Sequence, residues 1–429
     1  MNVGVMFLIF FFISLALGIP IAYALGIGTV AVVFLTNIVP IDLIIQTFFT
    51  SGDTFPLLAV PFFILAGDIM LEGGISSRLV NFGRTMLGHV SGSLGLITVF
   101  TCLLFAAISG SGPATTAAIG GIMIPAMIKD GYDEGYATSL TAAAGSLGPV
   151  IPPSITFIIY GIIASVSITD LFIAGIIPGI VIALILAAFV IYTSKKHHYG
   201  STKKEKAPAR ERLRAFNEAK WAILVPVIIL GGIYGGLVTP TEAAIIACDY
   251  GIIIGCFVYK ELNLKNLPKI FFKSALTSGT VLILVGAATA FGKVLTLARI
   301  PQAVSDWILG ISDNTVVILI IINCVLLLTG MFMETLAAVI ILAPLMLAIV
   351  LPLGVSPIHF GVMMVCNLVI GQCTPPVGVN MFVAAGIGEL RVERMFKWLF
   401  KFIIVMIVAL MVITFIPALS TFLPGLMGK

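Results

Sequence analysis

Charge is scarce in this chain. Asp, Glu, Lys and Arg make up 10% of its 429 residues, against 60% hydrophobic residues, whereas an ordinary soluble domain carries roughly a quarter charged residues. A conventional core-and-surface domain is therefore excluded, and most of the chain must have lipid as its solvent. No nucleophile, base and oxyanion set can be assembled, and no Walker A segment is present, which argues against an enzyme and against direct use of ATP. The six cysteines, Cys102, Cys248, Cys256, Cys324, Cys366 and Cys373, lie in apolar stretches without CxxC spacing or neighbouring histidines. They read as packing residues. The first apolar run lacks a basic n-region and continues past Gly18 to Leu35, so it reads as two retained spans and not a cleaved leader.

What the chain has in quantity is glycine and proline inside apolar runs, 43 and 22 residues respectively. Interrupted backbone is tolerated at membrane depth only where protein or a cavity covers it. Spans of 17 to 25 residues are expected at about 3–18, 20–36 and 54–72, then repeatedly from Leu94 to Tyr192 and from Trp221 to Leu419. Nine of the 23 Lys and Arg fall between Lys195 and Lys220, against three acids, which marks a solvated cytoplasmic linker.

The two halves flanking that linker resemble each other in order. PFFILAGDIMLEGGIS matches ATAFGKVLTLARIP, SGSGPATTAA matches TGMFMETLAA, and GPVIPPS matches GQCTPPV, all at similar separation. An internal duplication follows. The arm from Ile75 to His89 carries Arg78 and Arg84 without an acid, whereas its counterpart from Ile300 to Asp313 carries Asp306 and Asp313, with Arg299 at its edge. The two arms are therefore expected on opposite faces, with Lys260, Lys265, Lys269, Lys273, Arg391, Arg394 and Lys397 cytoplasmic and both termini periplasmic. Inverted repeats with broken helices are an architecture of secondary transporters.

Each half predicts a re-entrant hairpin and a broken helix. The first tip is Ser109-Gly110-Ser111-Gly112-Pro113, and the first break runs from Gly145 to Pro153. The second half offers a tip over Thr329–Thr335 and a break over Gly371–Pro376. A half-helix ending in free carbonyls suits a sodium ion, and one beginning there offers amides to an anion. Two sodium sites are expected, drawing on Ser109, Ser111, Gly145, Gly148 and Pro149 in one half and Gly330, Met333, Gly371 and Thr374 in the other. Substrate contacts are expected from Ser111, Gly112, Pro113, Thr115, Glu334 and Thr335. The plainer alternative is that glycine and proline only kink packed helices, but two matched tip-and-break sets argue for sites.

At VPFFILAGDIM (Val60 to Met70), EGYATSLTAAAGSLGPVIPPS (Glu134 to Ser154), GGIYGGLVTPTEAA (Gly231 to Ala244) and GQCTPPVGVNMFV (Gly371 to Val383) the chain resembles the large membrane subunit of tripartite ATP-independent periplasmic (TRAP) transporters. The resemblance covers essentially the whole chain. It implies an all-α polytopic membrane protein of the bacterial inner membrane, an inverted-repeat elevator with two re-entrant hairpins and two broken helices. Scaffold parts would be 1–90 and 221–312, transport parts 91–193 and 313–429, with the basic linker at 194–220. It further implies sodium-coupled uptake of a small organic anion, a carboxylate such as a sialic acid or C4-dicarboxylate. A separate four-helix membrane subunit and a periplasmic substrate-binding protein would be the partners, and no nucleic acid.

Ionisable residues in apolar segments are costly, and Asp68, Glu72, Asp170, Glu242, Asp249, Lys293 and Glu334 stand out. Glu242 in TPTEAA is expected to cap a helix start with Thr239 or Thr241. Glu334 adjoins the second tip, where it either takes part in transport or caps the helix that follows. Asp68 and Lys293 occupy equivalent places in the repeats and are expected to contact each other or the small subunit. A passive channel is the remaining rival, since it tolerates broken helices, but it requires neither paired ion sites nor long arms.

Overall fold

Glycine and proline punctuate the chain into helices and nothing else among the described residues. A computed structural model describes residues 3–200, 206–263, 265–310, 312 and 314–427, with the side chain of residue 309 left aside. Residues 201–205 of the basic linker and Asp313 of the second arm lie outside the described residues.

The first half opens with α1 (Val3–Ala16), α2 (Ile21–Thr36) and α3 (Ile41–Ser51). Prolines just before α2 and α3 set their starts, at Pro20 and Pro40. The sequence reading had no element at α3, which is shorter than a span. A 3-10 turn (Phe55–Leu58) leads into α4 (Ala59–Glu72), and the Gly73-Gly74 turn releases the amphipathic arm α5 (Ile75–Leu87). Next come α6 (Ser93–Ser109), α7 (Gly112–Lys129), α8 (Glu134–Gly145), α9 (Ile155–Ala164) and the long α10 (Ile168–His197).

After the linker, α11 (Ala209–Tyr234) and α12 (Pro240–Ile253) precede α13 (Leu267–Leu297), the arm α14 (Ile300–Leu309), α15 (Thr315–Phe332) and α16 (Thr335–Val350). The chain closes with α17 (Pro357–Gly371), α18 (Val379–Ile387), α19 (Val392–Phe415) and α20 (Ala418–Met427). From α4 to α10 and from α13 to α19 the elements follow one order: helix, arm, two helices joined at a tip, two half-helices joined by a break, long helix. Both breaks contain a cis Pro-Pro bond, Pro152-Pro153 and Pro375-Pro376.

Seven helical segments among the described residues are long and apolar enough to cross a membrane. The outer surface is apolar too, with Phe34, Phe49, Leu237 and Phe257 largely exposed, as lipid solvation allows. Inside, α4 packs on α12 and α13, and α13 also packs on α2 and α3. A second body of packing joins α7, α8, α18 and α19, with α16 on α9 and α15 on α17. The halves thus interlock: α18 of the second packs on α7 and α8 of the first. The arm α5 bridges α11 and α6, and Ser305 of α14 donates to the Ala348 carbonyl of α16 at 3.1 Å.

Two expectations about side chains are corrected. Asp68 does not meet Lys293; its carboxylate accepts from Lys273 Nζ at 2.7 Å and from Ser274 Oγ at 2.7 Å. The reason is the length of α13, along which Lys293 lies about 30 Å beyond Lys273 at 1.5 Å per residue. Nor are all cysteines packed, since Cys324 is exposed, whereas the half-buried Cys256 packs against the core. The reading of Glu242 stands. Its Oε2 accepts from the Thr239 amide at 2.7 Å while its own amide donates to Thr239 Oγ1 at 3.3 Å, a reciprocal cap on α12.

Helix α15 meets α17 backbone to backbone, and a methyl on Gly371 would collide with the backbone of Gly330. Gly371→Ala is expected to lower stability by about 1–3 kcal/mol. Gly292→Ala, with nothing within 4 Å of the added carbon, should leave it unchanged or raised. Thermal unfolding of both variants in detergent, followed by size-exclusion fluorescence, checks the pair.

Candidate functional site

The first tip is shorter than the sequence suggested. Ser109 ends α6, Gly112 and Pro113 begin α7, and only Gly110 and Ser111 lie between them. Gly110 turns the chain at φ +59°, a conformation with little steric cost only for glycine. A hydroxyl knot then fixes the turn: Thr115 Oγ1 donates to the Ser111 carbonyl at 2.8 Å and lies 2.7 Å from Ser109 Oγ. Thr115 is fully buried in this knot and does not reach the cavity described below. The second tip is Met333-Glu334, because α15 continues through Thr329 and Gly330 to Phe332.

The breaks hold these tips from behind. In the first, Ser154 caps α9 and donates to the Pro149 carbonyl at 2.5 Å. Gly148 lies so close to the tip that a methyl there would collide with the Ser111 carbonyl. In the second, the amides of Val377 and Gly378 both donate to the Met331 carbonyl, at 3.2 and 3.3 Å. Thr374 Oγ1 is taken by the Ile370 carbonyl at 2.9 Å. Each tip is thereby tied to the break of its own half.

One cavity of about 460 Å³ gathers these parts. Ser109, Ser111, Gly112 and Pro113 line it from the first tip, Glu334 and Thr335 from the second, and Pro149 and Gln372 from the two breaks. Asp68 of α4 and Lys273, Thr277 and Thr280 of α13 form the opposite wall. Of the expected residues, Thr115, Gly145, Gly148, Gly330, Met333, Gly371 and Thr374 stand behind this lining, where they set the shape of the tips and breaks. The first turns of α7, α9 and α16 all reach the lining, which brings three partly positive helix ends to one space.

A polar cluster that the sequence reading missed joins the breaks. Ser146 Oγ donates to the Val369 carbonyl at 3.1 Å, lies 2.9 Å from Cys373 Sγ, and accepts from Asn380 Nδ2 at 3.2 Å. Gln372 Oε1 and Asn380 Oδ1 crowd Gly112, where an added carbon would lie 2.9 and 3.0 Å from them. Asn380 sits in the quoted GQCTPPVGVNMFV segment, so the signal was a buried amide closing a break-like motif. The oxygens Thr116 Oγ1, Thr335 Oγ1, Gln372 Oε1 and Asn380 Oδ1 are buried without a hydrogen-bond partner among the described residues. Buried orphan oxygens are uncommon. Thr116 lies against Gly145 near the first tip and Thr335 begins α16 at the second, so each half presents hard oxygen donors fit for a small cation.

Against known proteins, residues 8–419 match the family model described as "Tripartite ATP-independent periplasmic transporter, DctM component". The chain is 46% identical over 421 residues to the isethionate TRAP transporter permease protein DctMQ of Oleidesulfovibrio alaskensis, covering 97% of this chain and 65% of that one. It is 38% identical over 427 residues to the C4-dicarboxylate TRAP transporter large permease protein DctM of Rhodobacter capsulatus, covering 96% of each. With the sialic acid TRAP transporter permease protein SiaT of Haemophilus influenzae it shares 39% identity, over 98% of this chain and 68% of that one. Among solved structures, the Alcanivorax borkumensis YdaH transporter superimposes with a TM-score of 0.62 at 15% identity, over 90% of this chain and 87% of that chain. That last likeness is one of fold.

The hydrogen bonding makes a contrast between neighbouring hydroxyls. Thr116→Val and Thr335→Val remove groups with no internal partner and are expected to change stability by less than about 0.5 kcal/mol. Ser146→Ala strips the partner from Asn380 Nδ2 in a buried setting and should cost about 1–3 kcal/mol. Thermal unfolding of the three variants side by side tests this ranking.

Proposed function

The chain belongs to the DctM family of tripartite ATP-independent periplasmic transporters, as its large membrane subunit, and on that premise we propose that it carries a small organic anion by sodium-coupled, elevator-type movement. It is a multi-pass integral membrane protein and a transporter subunit, not an enzyme. The observation that carries the proposal is the convergence of both tips and both breaks on one cavity. Its volume, about 460 Å³, lies in the range of small-molecule sites. Relatives named for isethionate, C4-dicarboxylates and sialic acid support a small organic acid as the class of cargo.

In this reading α7, α9 and α16 offer amide-rich first turns to the anion's acid group. Bound sodium would supply the positive charge that offsets the anion. Its oxygens would come from Thr116 and the Ser109–Ser111 tip in one half, and from Thr335 with the ends of α15 and α17 in the other. The orphan hydroxyls of Thr116 and Thr335 support two such sites.

The elevator part rests on how the cavity is divided. One wall belongs to α4 and α13, in the parts expected as scaffold (1–90 and 221–312); the other belongs to tips and breaks in the parts expected to move (91–193 and 313–429). A cargo held between them would travel with the tips as these slide past α4 and α13. The shared element order of the halves supports an inverted repeat, with the two tips as re-entrant hairpins. As the family is tripartite by description, a small membrane subunit would widen the scaffold, and a periplasmic binding protein would deliver the cargo.

Proteoliposomes holding the chain with both partners should accumulate isethionate, succinate or N-acetylneuraminate only under an inward sodium gradient. Replacing sodium by potassium or choline should abolish accumulation, and equal uptake in potassium overturns sodium coupling. Thr116→Val and Thr335→Val should each raise the sodium concentration for half-maximal uptake roughly ten- to a hundredfold, about one lost contact to a charged group. Omitting the binding protein or the small subunit should leave only background uptake.

A further inference from the structure

We propose that Lys273 of α13 is the cationic contact for the anion's acid group, and that Asp68 of α4 holds its ammonium until the anion arrives. The inference rests on the anion-transport reading above. Three charged residues line the cavity, Asp68, Glu334 and Lys273. Lys273 is the one cation among the described lining residues. Without it, an entering anion would meet two carboxylates and no opposing side-chain charge.

The geometry makes this ammonium available. Lys273 donates to Asp68 Oδ1 at 2.7 Å, but an ammonium has three protons to give. The pair is unequally sheltered: the Lys273 side chain is 58% exposed and that of Asp68 15%. Asp68 also keeps a second partner, since Ser274 Oγ donates to its Oδ2 at 2.7 Å. Lys273 can therefore leave without stranding a bare carboxylate, which would otherwise be the main cost of breaking the pair. Its flexible four-carbon stem allows the swing.

The position on α13 fits the role. Lys273, Leu276, Thr277 and Thr280 share one helix face and all line the cavity. Lys273 stands at its end and also lines a second cavity of about 150 Å³, together with Asp68, Lys269, Glu72 and Glu261. An ammonium shared by two adjoining spaces can take an acid group in one and release it toward the other. A plain structural tie between α4 and α13 makes a different forecast, because removing either partner would then do the same harm.

The test places a reporter thiol one turn along, Thr277→Cys, in the chain assembled with its small membrane subunit and with Cys256 and Cys324 changed to Ser. The thiol is reacted with an anionic ethylsulfonate methanethiosulfonate and with its trimethylammonium counterpart, and the ratio of the two rates cancels the thiol's own reactivity. Lys273→Gln should lower the anion-to-cation ratio roughly tenfold, Lys273→Arg should hold it near the unaltered value, and Asp68→Asn should raise it several-fold. Lys269→Gln should shift it less than twofold. In sodium, the concentration of isethionate, succinate or N-acetylneuraminate that halves the labelling rate should rise roughly tenfold in Lys273→Gln and fall in Asp68→Asn. Changes of the same sign in Lys273→Gln and Asp68→Asn, or a ratio as sensitive to Lys269 as to Lys273, would overturn the proposal. If no anion protects the unaltered chain while the ratios behave as expected, the transport reading has failed and the role of Lys273 as the cavity's anion-attracting charge stands.

Discussion

Lipid offers no hydrogen bonds, and that constraint organises the rest of the molecule. A helix interrupted within an apolar region frees amides and carbonyls whose partners must come from protein. Here each interruption is answered by another. The Met331 carbonyl, in the last turn of α15 before the second tip, accepts two amides from the break at Val377 and Gly378, and the first tip is fixed by its own hydroxyls while Gly148 of the break packs against it. Without its break, the end of α15 at the second tip would lose the two amides that meet the Met331 carbonyl, and a buried backbone group left unpaired costs several kcal/mol. The two therefore come as a set, twice over.

The same constraint explains why glycine marks the contacts. Gly330 against Gly371, and Gly148 against Ser111, bring backbone to backbone at distances that no side chain permits. Small residues at membrane interfaces serve this purpose, since lipid supplies no hydrophobic drive to press helices together. Close approach leaves room for few side chains, and among the buried polar atoms without a partner in the described residues are those of Thr116, Thr335, Gln372 and Asn380, near the tips and breaks. Tight packing and unspent hydrogen-bonding capacity thus occur side by side at the tips and breaks.

Charge follows a related logic. Asp68, Lys273 and Glu334 are few in a chain so poor in charge, and they gather at one cavity. Elsewhere Glu242 caps a helix, and Arg78 pairs with Glu261 at 2.6 Å while lying over the Tyr259 ring. The contrast separates groups that hold the frame from groups that face the cavity.

Composition and punctuation determined much of this protein in advance. The scarcity of charge required lipid as solvent, the placement of Gly110, Gly148, Pro149 and Pro153 marked the tip and break of the first half, and TPTEAA announced the cap at Glu242. These features were legible because they depend on residues near in sequence: period, turn chemistry and hydropathy. What depends on residues far apart was decided only by the tertiary structure. Asp68 finds Lys273 and not Lys293 because α4 packs against the first half of α13. Asn380 and Ser146, 234 positions apart, meet because α18 of one half packs on α7 and α8 of the other. Thr115, expected as a substrate contact from its place beside the tip motif, turns its hydroxyl to Ser109 and Ser111 inside the tip. Repeat symmetry relates positions to one another, but contact is set by which helices lie side by side, and that is a property of the packed whole.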